Sequence, residues 1–214
     1  MSKGERLVAV VSMVACWGAF ALVWILAAVK AGREALPPTA RAPQRPFIVA
    51  LSGVAAITLA LVVLVPDRIW RTLSAHSPLL TGLGVVILAA STTFTLWARL
   101  DLGEMWTLDA EILAAHQLRT EGPYRVTRHP IYTGILGMLL GSLLLVGIGR
   151  AVLLLPVGYV LVRVKIDAEE TLLFTAFPDE YSEYCQRVAQ LIPFTRRARE
   201  HPRLRKPGHG RRRR

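Results

Sequence analysis

Glu121-Gly-Pro-Tyr-Arg-Val-Thr-Arg-His-Pro-Ile-Tyr-Thr-Gly134 is a polar stretch set between two apolar ones, and its reading decides the fold. Gly122-Pro123 reads as a turn, because glycine accepts φ > 0 and proline cannot continue a preceding helix. Pro130 stands where a new helix begins, at a position that tolerates its missing N–H. Arg125, Arg128, His129, Tyr124 and Tyr132 crowd around the start of an apolar run at Ile131. Charged groups at the mouth of a membrane helix are costly unless paired, hydrated or bound to something. A polar ligand is expected there.

Forward of this stretch, 131–148 reads as a membrane span rich in small residues: Gly134, Gly137, Gly141, Ser142 and Gly147. Gly137 and Gly141 form a small-xxx-small pair, which lets a neighbouring helix approach closely. The run 151–164 is short and contains Pro156 and Gly158, yet tilted or kinked it can return the chain as a helical hairpin over 131–164. Backward, 101–128 is mostly polar, with Trp106 and a helical piece expected over 108–118. Three further spans precede it, at 7–29, 47–65 and 79–98, each near the roughly 20 residues that cross a bilayer. The first is longer than the roughly 7–15-residue apolar core of a secretory signal and is read as retained.

The expectation is an all-α integral membrane protein with about five transmembrane helices. Its parts are a three-helix scaffold over 1–98, a core over 99–194 and a basic tail over 195–214. Composition agrees: 214 residues suit one domain, 53% are hydrophobic and only 19% charged, and the mean hydropathy is +0.41. An ordinary soluble domain is excluded. The net charge of +11 points to an anionic inner leaflet rather than to nucleic acid, since no aromatic residues interleave the charges of the Arg-rich tail. Cys16 and Cys185 stand far apart and imply neither a disulfide framework nor a zinc site. Basic residues set the orientation. Lys30, Arg33, Arg41 and Arg45 in the first loop, Arg99, Arg119, Arg125 and Arg128 in the third, and the tail share one side. Only Lys3, Arg6, Arg68, Arg71 and Arg150 fall on the other. The central stretch and the C-terminus are therefore placed in the cytoplasm.

A second informative segment runs from Arg163 to Tyr184. Helical spacing puts Arg163 and Asp167 one turn apart, able to pair. Glu169 and Glu170 point in directions about 100° apart, which argues against one paired carboxylate site. Leu172, Leu173, Phe174 and Phe177 supply the apolar face of a juxtamembrane amphipathic helix, and Tyr181 and Tyr184 lie one turn apart on a further helix after Pro178.

Together the two segments read Gly-Pro-Tyr-Arg-x-x-Arg-His-Pro-x-Tyr-x-Gly, a helical hairpin, then Glu-Glu-x-x-Leu with Tyr-x-x-Tyr downstream. This pattern resembles the isoprenylcysteine carboxyl methyltransferase and phospholipid methyltransferase superfamily of integral membrane enzymes. The resemblance covers about residues 96–194 and includes Leu102-Gly103, Trp106 and His116-Gln-Leu118. It implies S-adenosyl-L-methionine as methyl donor, bound on the cytoplasmic side by the C-terminal half. It also implies a lipophilic acceptor entering from the bilayer. Most directly it implies carboxyl O-methylation of an isoprenylcysteine-like substrate, with ethanolamine N-methylation as the alternative.

Carried over by position, Arg128, His129, Pro130, Tyr132 and Gly134 match the first motif and Glu169 and Glu170 the second. His116, Leu118, Gly122 and Tyr124 are implied as lining the same cofactor pocket. Arg128, His129 and Glu170 are the implied catalytic residues. Pro178 departs from the Gly of many relatives, which bears on the turn and on the placing of Tyr181. The residue chemistry is consistent with the resemblance: a glutamate can hold an ammonium or favour a sulfonium, and arginine can fork onto a carboxylate or phosphate. Outside this pattern the chain has no Walker A loop, no G-x-G-x-x-G, no H-E-x-x-H and no G-x-S-x-G. A related reductase using NADPH and a non-enzymatic membrane scaffold or transporter remain the competing classes. The scaffold class calls for polar residues inside the spans, whereas here they gather at the cytoplasmic mouth.

Overall fold

The structure, a computed structural model, describes residues 2–33, 38–103, 111–113, 118–193 and 195. Seven helices follow in order among them: α1 (Lys3–Arg33), α2 (Arg45–Leu64), α3 (Asp67–Thr72), α4 (Pro78–Leu102), α5 (Pro130–Val146), α6 (Leu154–Ala176) and α7 (Pro178–Arg187). By length and hydropathy, 3–30, 45–64 and 78–102 can each cross a membrane, matching the first three expected spans. α5 has 17 residues and reaches about 25 Å, somewhat short of the roughly 30 Å hydrocarbon core.

The chain turns where its sequence provides stops. Pro78 opens α4 at the first helical position, and the Ser77 hydroxyl accepts from the Leu80 amide at 3.2 Å, capping it. Gly147 ends α5 at φ 86, where a Cβ would sit 2.2 Å from the His76 ring. That imidazole contacts the Val146 carbonyl at 3.0 Å, closing the far end of the bundle.

The core is centred on the α4–α5 pair. Cβ atoms built on Gly134, Gly137 and Gly141 would meet Thr95 Oγ1 at 1.8 Å, Ser91 Oγ at 2.2 Å and the Leu88 amide nitrogen at 2.6 Å. The glycine face therefore serves contact within the chain, as small residues do between membrane helices. α1 lies against this pair through Ala9, Met13, Cys16, Trp17 and Phe20, with the Trp17 indole donating to Ser142 Oγ at 3.0 Å. α2 stands apart, packed along α6 with no buried residue of its own.

Two expectations are corrected. Within the piece 108–118, Glu111–Leu113 is a strand (β2) rather than helix, pairing antiparallel with Pro38–Arg41 (β1). Pro38 begins an extended segment whose backbone groups need partners, and β2 supplies them. The second correction concerns the returning span and the amphipathic segment after it, which form one 23-residue helix, α6. Pro156 falls in its first turn, where proline is tolerated, and no proline follows until Pro178.

Candidate active site

Each partner of the polar cluster is delivered by a different element. Arg128 and His129 precede α5, with Pro130 as its first, buried residue. Glu169 and Glu170 come from the last two turns of α6, and Tyr181 and Tyr184 from α7. Pro178 takes the first position of α7 after Phe177, whose backbone is non-helical at φ −132 and ψ 59, so the turn forms and Tyr181 arrives only 1% exposed.

Four donors converge on one oxygen. Glu170 Oε1 accepts from Arg128 Nε at 3.3 Å and Nη2 at 3.0 Å, from Tyr181 at 3.2 Å, and lies 3.2 Å from His129 Nε2. Burial would raise the Glu170 carboxyl, but the His129 hydrogen bond and the charges of His129 and Arg128 outweigh it and hold it at about 2. Burial likewise works against the His129 cation. Hydrogen bonds and charge from both glutamates prevail, and its pKa lies above the ordinary 6.5. Burial raises the Tyr181 hydroxyl, reinforced by Glu170, so it remains a donor.

Glu169 completes the arrangement from the other side of the ring. Its Oε2 is 3.5 Å from His129 Nδ1, and its Oε1 accepts a short hydrogen bond from the Tyr132 hydroxyl. Its side chain is 30% exposed, whereas those of Arg128, His129 and Glu170 are nearly enclosed. The two glutamates do diverge on α6, yet both grip one imidazole between them.

A segment that the motif reading passed over locks this geometry. The backbone after α7 runs beside Arg128-His129 and accepts the Arg128 amide at Ala189 O (2.8 Å) and the His129 amide at Gln190 O (3.2 Å). Arg128 Nη1 donates to the carbonyls of Val188 (2.7 Å) and Cys185 (3.2 Å), and Thr133 Oγ1 to that of Leu191 (2.7 Å). The Gln190 side chain accepts from Arg163 Nη1, and Arg163 also pairs with Asp167 at 2.9 Å as its spacing predicts. Gln190 and its neighbours carry no motif. Their only sequence signal is position, directly after Tyr-x-x-Tyr. The fork of Arg128 thus closes on Glu170 and the chain's own carbonyls.

The remaining expected site residues fall around this cluster. Tyr124 is buried, its hydroxyl 3.4 Å from Ala98 O and its carbonyl accepting from Tyr184 at 2.6 Å. Leu118 packs on the Tyr181–Tyr184–Cys185 group. Gly122 turns at φ 55 beside the Asp101 carboxylate, 3.1 Å from where a Cβ would stand. Gly134 faces α4 rather than the cluster. His116 and Trp106 lie outside the described residues.

The titrations make opposite contributions to stability. Glu170, lowered from 4.5 to about 2, stabilises the fold fully above pH 4.5 and loses this as pH falls towards 2. His129, raised from 6.5, stabilises fully below pH 6.5 and loses this as pH rises through its folded value. Thermal unfolding in detergent is therefore expected to be most resistant between about pH 4.5 and 6.5, with an alkaline decline that His129→Gln abolishes. An unchanged alkaline limb in that variant would show that another group governs it.

Known proteins share parts of this pattern. The model of the isoprenylcysteine carboxyl methyltransferase (ICMT) family matches residues 82–175. Protein-S-isoprenylcysteine O-methyltransferase B of Arabidopsis thaliana is 36% identical over 80 residues, 37% of this chain and 41% of that protein. An uncharacterised Haemophilus influenzae protein is 31% identical over 110 residues, 50% of this chain and 63% of its own. The solved eukaryotic intramembrane Ras methyltransferase ICMT superposes with a TM-score of 0.51 at 21% identity, covering 70% of this chain and 53% of that one. The matches thus span about half the length of these relatives. They bear out the resemblance read from the motifs, and the likeness in fold is that of an integral membrane protein.

Proposed function

We propose, from a chain whose residues 82–175 carry the isoprenylcysteine carboxyl methyltransferase pattern, that it transfers a methyl group from S-adenosyl-L-methionine to a lipophilic carboxylate. The observation carrying this reading is Glu169: a partly exposed carboxylate, oriented by Tyr132 and His129, beside an otherwise enclosed ion cluster. Such a donor set fits a cationic ligand, because an outward carboxylate can hold an ammonium or face a sulfonium. The cofactor supplies an electrophilic methyl on its sulfonium.

We assign the chain's own residues as follows. Glu169 and Tyr132 hold the cationic end, and Glu170, Arg128 and His129 fix Glu169 in place. Leu118, Gly122, Tyr124 and, from the resemblance alone, His116 wall the remainder, while Pro130 and Gly134 set the position of α5. The acceptor carboxylate forms the new C–O bond as the C–S bond breaks, with the electron pair leaving on sulfur and no proton to move. Carboxyl chemistry is favoured over amine methylation because a carboxylate acceptor needs no base, and among the described residues His129 is held between two glutamates that favour its charged form while Glu170 is pinned by four donors. Catalysis then consists of alignment and water exclusion. The basic residues of the loops and tail support a cytoplasmic position for this site, near anionic lipid.

The test is calorimetric binding of S-adenosylmethionine and S-adenosylhomocysteine to detergent-purified protein, with NADPH as control. Glu169→Gln is expected to weaken S-adenosylmethionine binding by about tenfold or more, the effect of losing a charge-assisted contact. Binding of NADPH alone, or of no adenosyl ligand by folded protein, overturns the reading.

A further inference from the structure

Arg163, Ile166 and Glu170 are spaced i, i+3 and i+7, which puts them on one face of α6. The segment after α7 lies along that face. Leu191, 8% exposed, packs on Val162 and on the fully buried Ile166, between the arginine and the glutamate. Gln190 beside it is fixed at two points: its carbonyl accepts the His129 amide at 3.2 Å, and its side-chain Oε1 accepts from Arg163 Nη1. Arg163 is itself held, with Nη2 on Asp167 at 2.9 Å and a side chain only 17% exposed. Gln190 lies beyond residues 82–175, so the family match assigns it no role.

A glutamine amide has two unlike ends, an oxygen that accepts and an NH2 that donates. A guanidinium has no acceptor, so only the amide oxygen can face Arg163. The NH2 is thereby turned the other way along the helix face, towards Glu170. Against the effect of burial, His129, Arg128 and a hydrogen bond from the Gln190 side chain together keep the Glu170 carboxyl low. Arg163 and Glu170 are separated by a rise of about 10 Å along α6, and Gln190 bridges it from another segment.

We propose that Gln190 is a positioning residue of the donor site: Arg163 decides which end of its amide faces Glu170, and the NH2 so presented holds that carboxylate against His129. This rests on the methyltransferase reading above and deepens it at the same site. Glu170 and Glu169 grip one imidazole from opposite sides, so a Glu170 that is held still also keeps the partly exposed Glu169 aimed at the cationic ligand. Without Arg163 the amide is free to turn its oxygen to Glu170, which repels the carboxylate instead of donating to it. Arg163 and Gln190 therefore act as one unit, and their substitutions are not independent.

The test uses the full chain in detergent and two readouts. One is the titration of the Glu170 side chain, followed by the carbon-13 shift of its carboxyl and assigned by comparison with Glu170→Gln. The other is calorimetric binding of S-adenosylhomocysteine. Gln190→Leu should make Glu170 about tenfold weaker as an acid, the effect of losing one hydrogen bond to a charged group, and should lower the affinity about fivefold. Arg163→Met should move both readouts the same way, Arg163→Lys should restore them, and Arg163→Met added to Gln190→Leu should change nothing further. Gln190→Glu matches the native side chain in size and keeps an acceptor for Arg163, so it carries the test where the leucine variant does not fold. It places a second carboxylate beside Glu170 and should weaken that acid most. An unmoved Glu170 titration in Gln190→Leu and Gln190→Glu, or additive losses for Arg163→Met and Gln190→Leu, would make the contact a tie between segments and overturn the proposal. No adenosyl binding by folded wild type overturns the methyltransferase reading instead, while the Glu170 titration still decides the role of Gln190.

Discussion

Glu170→Ala is expected to destabilise the folded protein by about 3–5 kcal/mol, the usual cost of removing one partner from a buried ion pair. The carboxylate is the point at which Arg128, His129 and Tyr181 meet, and their side chains are all nearly enclosed. Deleting it leaves the Arg128 guanidinium without its ion-pair partner and the His129 ring with, among the described residues, the partly exposed Glu169 as its remaining acid. Glu170→Gln keeps an acceptor but not the charge, so it should fall between alanine and wild type. Arg128→Met introduced into Glu170→Ala should recover part of the loss, because one buried cation without a counter-ion then disappears. Denaturant or thermal unfolding in detergent reads all three. A loss within about 1 kcal/mol for Glu170→Ala, the scale of an exposed pair, would mean that the cluster is hydrated rather than closed.

The same cluster shows what could be read from the chain and what could not. Arg128-His129-Pro130 and Glu169-Glu170 were legible because polar residues at the mouths of apolar runs have few reasons to be there. Their contact is long-range, 41 residues apart for His129 and Glu170, and only the motif resemblance brought them together. Divergence of Glu169 from Glu170 on the helix was read correctly, but its consequence was not. The imidazole between them comes from another element, which no periodicity on α6 can reveal. Gln190 and the carbonyls of 188–191 were missed for a different reason: backbone acceptors have no residue signature. The spans were the easiest part, since hydropathy and length suffice. The returning run at 151–164 misled because its hydropathy ends at Val164, whereas its helical hydrogen bonding continues until Pro178 interrupts it.

The largest packing effect is expected at Gly141. A Cβ there would lie 2.6 Å from the Leu88 amide nitrogen and 2.8 Å from its Cα, both backbone atoms of a packed helix that cannot swing aside. Gly141→Ala should therefore force α5 away from α4 and cost at least the about 1–3 kcal/mol typical of overpacking. Gly137→Ala meets the Ser91 hydroxyl at 2.2 Å and its Cβ at 3.0 Å, and a side chain can rotate or be removed. It should cost less, and Ser91→Gly should restore it, whereas Ser91→Gly should do nothing for Gly141→Ala. Unfolding midpoints in detergent give the ranking. Equal losses at the two glycines, or no rescue, would show that the helices are not held at this separation. The displacement also reaches the site, because α5 starts at Pro130 and carries Arg128-His129 rigidly at its head. Moving α5 outward pulls the imidazole from between Glu169 and Glu170, so Gly141→Ala should lose adenosyl-ligand affinity together with stability. Gly137→Ala with Ser91→Gly should recover both.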